Sequence, residues 1–265
     1  MIDTAVLEAA GPGHLARALA RLRGAARERL HAQIADLDLP RIAHLFAEVS
    51  GGSDPHPDLD RLAPADVIAL PRTAADHARE AQAHAAGEQM LREGRVAALL
   101  LAGGQGTRLG IDGPKGTFGF SPVTATSLFA HHAARIRALR HRYGCALPWY
   151  ILTSPQNDAV TRAFFAEHDW FGLPAQTVTF FTQGLLPAVD RDTGAILLEA
   201  PDRIVLSPDG HGGVFPALAR HHIFAHMRDA GVDTIVTYNV DNPLLRLGRP
   251  EFLGHHHEAD SQMTT

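Results

Sequence analysis

The chain has 265 residues, with 24 Lys and Arg against 29 Asp and Glu, and its formal net charge of −5 offers no basic face for nucleic acid. Its 45% hydrophobic content can fill the core of one or two domains, yet no segment approaches the ~20 apolar residues of a membrane span. A lone cysteine, Cys145, excludes an internal disulfide and fits a reducing cytoplasm, and the start MIDTAVLEAA lacks the basic and apolar regions of a signal peptide.

Leu15, Leu19, Leu22, Leu30, Ile34 and Leu37 recur at helical spacing between arginines, which predicts one amphipathic helix closed by Asp38-Leu39-Pro40. A second, shorter helix is expected over Arg41–Val49. Ser50–Pro71 carries Gly51, Gly52, Pro55, Pro57, Pro64 and Pro71 and reads mostly as loop. Thr73–Glu93 is alanine-rich and helical, with Gly94 as its stop. Residues 1–95 are therefore expected to form a helical region packed on the rest of the chain.

From Val96 the pattern changes to strands alternating with helices. The strands are expected at Val96–Leu101, Trp149–Thr153, Val178–Thr182, Ile204–Leu206 and Thr234–Val240. The helices are expected at Ser127–Arg142, Gln156–His168, Val214–Ala230 and Pro250–Asp260. Ala188–Asp190 and Ile196–Leu198, on either side of Asp192-Thr193-Gly194, read as a hairpin. Such alternation implies an α/β fold: a mostly parallel sheet covered on both faces, with ligands at the carboxyl ends of its strands. The last residues, Ser261–Thr265, read as the approach to another strand, so the chain is expected to be a fragment with an incomplete sheet.

One stretch stands apart. Residues 96–116 read VAALLLAGGQGTRLGIDGPKG, a buried-strand pattern running into Gly103, Gly104, Gly106 and Gly110. Little side chain there means a ligand can meet backbone N–H groups. The cations of this stretch are Arg108 and Lys115, and Lys115 is the only lysine among the 24 Lys and Arg of the chain. A lysine offers a compact ammonium suited to a single phosphate oxygen. The stretch is not a P-loop, because Pro114 precedes Lys115 and Gly116 follows it. Nor is it a dinucleotide fingerprint: Gly104 and Gly106 fit, but Leu109 stands where the third glycine belongs.

LAGGQGTRLG followed by PKG resembles the nucleotide loop of the UDP-sugar pyrophosphorylase family, most closely its UDP-N-acetylhexosamine branch. PWYILTS at 148–154, FFTQGLLPA at 180–188, LSPDGHGG at 206–213 and VDNPL at 240–244 match further family blocks in order. The resemblance implies a Rossmann-like nucleotidyltransferase fold, with residues 96–265 as the N-terminal part of the catalytic domain. It also implies a uridylyltransferase that joins UTP and a sugar 1-phosphate, releasing pyrophosphate, with Mg²⁺ as cofactor. Gly103, Gly104, Gly106 and Arg108 match the loop that wraps the nucleotide. Gly104 and Gln183 match positions that read the uracil edge, and Lys115 matches a phosphate-contacting lysine. Gly210 and His211 match the uridine-side loop, and Asp241 the metal-holding aspartate. Gly-His at 210–211 is closer to the glucose-specific branch, whereas the glycine loop favours N-acetylhexosamine, so both sugars stay open. The family's sugar-contacting segments and a second catalytic lysine lie beyond the region matched by Thr265. The alternative is a non-catalytic UTP- or UDP-binding module without a sugar site.

The residue types suit this chemistry on their own terms. Nucleotidyl transfer needs groups positioned and charge neutralised. Backbone N–H groups between Gly103 and Gly106 can hold phosphate oxygens, Arg108 can grip the leaving pyrophosphate in two-pronged fashion, and Lys115 can offset charge on the reacting phosphate. Asp241, after the apolar run ending at Val240, offers a hard oxygen to Mg²⁺. Plainer readings exist for each: Arg108 paired with Asp112, Asp241 capping a turn before Pro243, Gln183 satisfying loop backbone, and the glycines around His211 forming only a turn. The neighbouring histidines at 131–132, 221–222 and 255–257 do not face one another on a helix, which argues against metal sites.

Overall fold

The computed structural model describes residues 13–51, 61, 63–64 and 67–265. Gly52, Pro55 and Pro57 of the expected loop lie outside these residues. Two compact units result, one from residues 1–67 with 185–209, the other from 68–184 with 210–265. The division does not fall at residue 95.

The first unit opens with α1 (Gly13–Arg21), α2 (Gly24–Ala35) and α3 (Leu39–Ser50). The single expected helix is thus two. Arg23 is extended and Gly24 has φ +52°, a left-handed conformation that glycine adopts at little cost. Arg23 and Arg27 donate to the carbonyls of Ala20, Leu22 and Leu19 at the end of α1. The apolar spacing survives the break because Leu15, Leu19, Leu30 and Ile34 all enter one buried cluster. Asp38 does not close that helix. Its carboxylate accepts from Arg41 N and, with Pro40 in the first turn, it opens α3.

Ile196 of the expected hairpin completes this cluster, together with Ile204. Val189 bridges Ile196, and the Asp190 carboxylate holds the turn through Thr193 N and Oγ1. The expected strand at Ile204–Leu206 is not part of the parallel sheet. It divides between antiparallel ribbons: β5 (Leu198–Ala200) pairs with β6 (Arg203–Ile204), and β4 (Leu185–Pro187) pairs with β7 (Leu206–Pro208). Arg29 pairs with Asp202 at 2.6 Å, and the Gln33 amide spans Asp202 O and Ile204 N.

The second unit starts with α4 (Ala74–Arg92), whose Thr73 and Asp76 form a reciprocal capping box. Next come β1 (Val96–Leu101), α5 (Leu128–Tyr143), β2 (Trp149–Thr153), α6 (Asp158–Glu167) and β3 (Val178–Thr182). The chain re-enters this unit with α7 (Val214–Arg220), α8 (Ile223–Asp229), β8 (Thr234–Asn239) and α9 (Pro250–Glu258). β1, β2 and β3 have the bounds expected from sequence. The helix expected over 214–230 is broken: His222 takes φ +56°, while Arg220 and His221 reach back to Thr182 O at 3.1 Å.

The four parallel strands run in the order β3-β2-β1-β8. One face packs Ala98, Leu100, Trp149, Ile151, Phe180 and Tyr238 against α4, α5, α6 and α9. Cys145 is buried in the same core, which raises the pKa of its thiol. The other face packs Ala97, Leu99, Tyr150, Leu152 and Phe181 against α7 and α8. Covering both faces makes β1 and β2 continuous apolar runs instead of alternating ones. This is the expected parallel α/β sheet covered on both faces. No helix among the described residues is long and apolar enough to cross a membrane.

Candidate active site

Register sets the site. Leu101, Leu152, Phe181 and Asn239 lie on one line across the sheet. Two residues beyond that line stand Gly103, Ser154, Gln183 and Asp241. Three of the nine residues singled out in the sequence are therefore level with one another at the carboxyl ends of three strands.

The glycine loop folds back on itself. Gln105 bridges Pro114, Lys115 N donates to Gly104 O at 3.1 Å, and Gly106 N donates to Gly113 O at 2.7 Å. This corrects one expectation: the Gly106 N–H is consumed inside the loop and is not open to a phosphate. Gly106 is required for room, since a Cβ there would lie 2.3 Å from Ile111 Cγ1. The N–H groups of Gly103, Gly104 and Gln105 make no backbone hydrogen bond among the described residues. Arg108, in the 3₁₀ turn Thr107–Leu109, is exposed and makes no ion pair with Asp112.

The fold-back lays Lys115 along the loop. A Cβ on Gly104 would stand 3.4 Å from Lys115 Cε and 3.8 Å from Nζ, ordinary van der Waals distances, so the lysine stem runs alongside Gly104. Nζ ends 2.8 Å from Asp241 Oδ2, with Lys115 25% and Asp241 48% exposed. That hydrogen bond from Lys115 holds the Asp241 carboxyl below the usual carboxylate range. Asp241 is thus an ion-pair partner and not merely a turn cap.

Gln183 closes the other side. Its backbone N donates to Thr153 O at 2.9 Å, and its side chain is buried against Gly103, where a Cβ would stand 2.7 Å from Oε1. Gly210 takes φ +71°, and His211 opens the 3₁₀ turn before α7. The His211 ring lies 3.2 Å from Asn239 Oδ1, at the end of β8 and two residues before Asp241.

Sequence reading missed Asn157, which is 1% exposed. Its amide donates to Ala102 O at 3.0 Å and Gly104 O at 3.4 Å, while its Oδ1 accepts from Ser154 N at 2.8 Å. It ties the glycine loop to the end of β2. Its place just past a strand's carboxyl end was the available signal.

Among the described residues no group of three or more His, Cys, Asp or Glu could hold a metal ion by itself. Mg²⁺ does not require one, because it is commonly held by one or two carboxylates together with phosphate oxygens. Asp241, with one carboxylate oxygen turned to Lys115 and the other not so engaged, fits that mode.

A glycine loop, one lysine and one aspartate at the carboxyl ends of a parallel sheet mark an α/β protein of nucleotidyltransferase fold. Residues 59–264 match the UDPGP family, described as UTP–glucose-1-phosphate uridylyltransferase, and the chain belongs to this family. It is 38% identical over 264 residues to mouse UDP-N-acetylhexosamine pyrophosphorylase-like protein 1, covering 94% of this chain and 52% of that protein. It is 38% identical over 180 residues to Arabidopsis thaliana UDP-N-acetylglucosamine diphosphorylase 2, covering 64% of this chain and 36% of that protein. The crystal structure of UDP-N-acetylglucosamine pyrophosphorylase from Trypanosoma brucei, in complex with an inhibitor, matches with a TM-score of 0.78 at 32% identity, over 98% of this chain and 55% of that chain. The chain thus spans about half the length, or less, of the relatives it matches.

Proposed function

We propose that this chain carries the nucleotide half of a UDP-sugar uridylyltransferase, which joins UTP to a sugar 1-phosphate and releases pyrophosphate. The observation that carries the reading is the chain's only lysine, held beside Gly104 and 2.8 Å from Asp241 at the carboxyl ends of the strands. In this reading the N–H groups of Gly103, Gly104 and Gln105 hold phosphate oxygens and the exposed Arg108 grips the pyrophosphate that leaves. Lys115 offsets charge on the reacting phosphate, and the sugar phosphate attacks directly, so no protein nucleophile is needed. Asp241 would hold Mg²⁺, which when bound supplies Lewis-acid neutralisation of phosphate charge. Gln183 and Gly104 read the uracil edge, and Gly210 and His211 flank the uridine. N-acetylglucosamine 1-phosphate is the favoured sugar, on the names of the relatives above 30% identity; glucose 1-phosphate is the competing substrate.

Thermal melting with nucleotides tests the reading. UTP with Mg²⁺ should raise the melting temperature more than ATP, GTP or CTP, and Gln183→Leu should erase the preference for UTP. Equal shifts for all four nucleotides would refute the uracil assignment. Assay of UDP-sugar from either sugar 1-phosphate separates an enzyme from a binding module.

A further inference from the structure

Asp241 sits on a short connecting segment, and a single helix holds that segment from the side. His132 Nε2 donates to Val240 O at 2.9 Å, and His131 Nε2 donates to Pro243 O at 2.9 Å. Arg135 donates to Leu245 O. The three carbonyls belong to residues one before, two after and four after Asp241, and all three donors come from α5. A carbonyl can only accept, so each imidazole carries its proton on Nε2. His132 is 1% exposed, its ring edge-on to Tyr238 at 5.1 Å, while His131 packs edge-on to Phe120 at 5.0 Å. Val240 N donates to Leu101 O at 3.1 Å, so the residue preceding Asp241 is gripped from both sides.

A buried imidazole costs desolvation that an apolar residue would avoid, and the bond to Val240 O offsets that cost. We propose that His132, helped by His131 and Arg135, is a positioning residue that sets the reach of Asp241 toward Lys115. The role rests on reading the Lys115–Asp241 pair as the centre of the site. It acts through backbone, by the bond of His132 to the Val240 carbonyl.

The only lysine of the chain reports on the pair without any activity assay. Growth on lysine labelled at Cε and Nζ gives one lysine side-chain signal by NMR, and Asp241→Asn fixes its position when the pair is lost. His132→Leu should move the signal at least half of the way to that position. His132→Gln, which keeps an amide donor, should leave it near the wild-type value. A purely structural role would lower the melting temperature of His132→Leu and leave the lysine signal in place, which would overturn the proposal. If His132→Leu does not fold, the combined His131→Phe and Arg135→Met variant carries the test, with a smaller move in the same direction. No move there, or none in Asp241→Asn, also overturns it. Failure of UTP to stabilise the wild-type chain would refute the functional reading alone and leave this result intact.

Discussion

Gly116 lies so close to the ring of Phe129 that a Cβ on it would stand 2.1 Å from Cζ. Phe129 is on α5, the helix whose His131, His132 and Arg135 bond the segment bearing Asp241. Gly116 directly follows Lys115. One helix therefore seats both members of an ion pair that lie 126 residues apart in sequence. The glycine of PKG is there for packing, and the lysine before it for charge.

Gly116→Ala should destabilise the chain by about 1–3 kcal/mol, because the Phe129 ring is fully buried and has nowhere to retreat. Phe129→Leu in the same background opens space, so the double variant should lose less than the sum of the two single losses. Denaturant unfolding measures all three. Strict additivity would show that the two residues do not press on each other.

Lys115→Ala should lower turnover of the proposed uridylyltransferase by roughly 10²–10³ with a smaller change in KM, the pattern of a lost transition-state contact. Lys115→Arg should not restore it, since a planar guanidinium does not replace a compact ammonium lying along Gly104. Asp241→Ala should be about as damaging, and the double variant little worse than either single one. Near-normal turnover in Lys115→Ala would assign the lysine to structure alone.

The sheet was legible where both of its faces are covered. β1, β2 and β3 are short apolar runs, and their ends could be read directly because nothing local competes with that pattern. Residues 185–209 were harder, since antiparallel ribbons of two or three residues carry almost no periodicity. The break at His221-His222 was hidden because the acceptor that Arg220 and His221 reach, Thr182 O, lies on β3, 38 and 39 residues away. The same limit applies to the site. Glycine spacing and a single lysine mark the loop, but the acceptor for His132 lies 108 residues away and that for Asn157 lies 55 residues away. A side chain whose role is to bond distant backbone looks, in sequence, like any other histidine or asparagine.

His132 should leave a mark on stability against pH. Burial, aided by the charges of His131 and Arg135, lowers its pKa from 6.5 to about 4. The folded chain keeps it neutral, whereas the unfolded chain binds the proton more readily. Between about pH 6.5 and 4 the unfolded state therefore holds more protons, and stability falls as pH falls through that window. At about 1.4 kcal/mol per pH unit the loss from this group reaches about 3 kcal/mol and levels off below pH 4. Subtracting the pH–stability curve of His132→Gln from the wild-type curve isolates the contribution. A flat difference over this window would mean the imidazole titrates normally in the folded chain.

The crossing of α4 and α9 offers a test in which the sign alone decides. A Cβ on Gly87 would lie 1.8 Å from Pro250 O, and one on Gly254 would lie 1.7 Å from Ala83 O. Both obstacles are backbone atoms, so no side chain can rotate away. Alanine in the interior of an exposed helix is worth about 1 kcal/mol over glycine, and if the helices were apart both substitutions would stabilise. With the crossing as close as it stands, each must force the helices apart and disturb Met90, Leu91 and Leu253, which pack into the core beneath β1. The cost should exceed the helix-propensity gain by about 1–3 kcal/mol, leaving a net destabilisation. Once the helices have separated, the second alanine has less to displace, so the double variant should fall well short of additivity. Urea midpoints of Gly87→Ala, Gly254→Ala and the pair give the answer, and a raised midpoint in either single variant would rule out the close crossing.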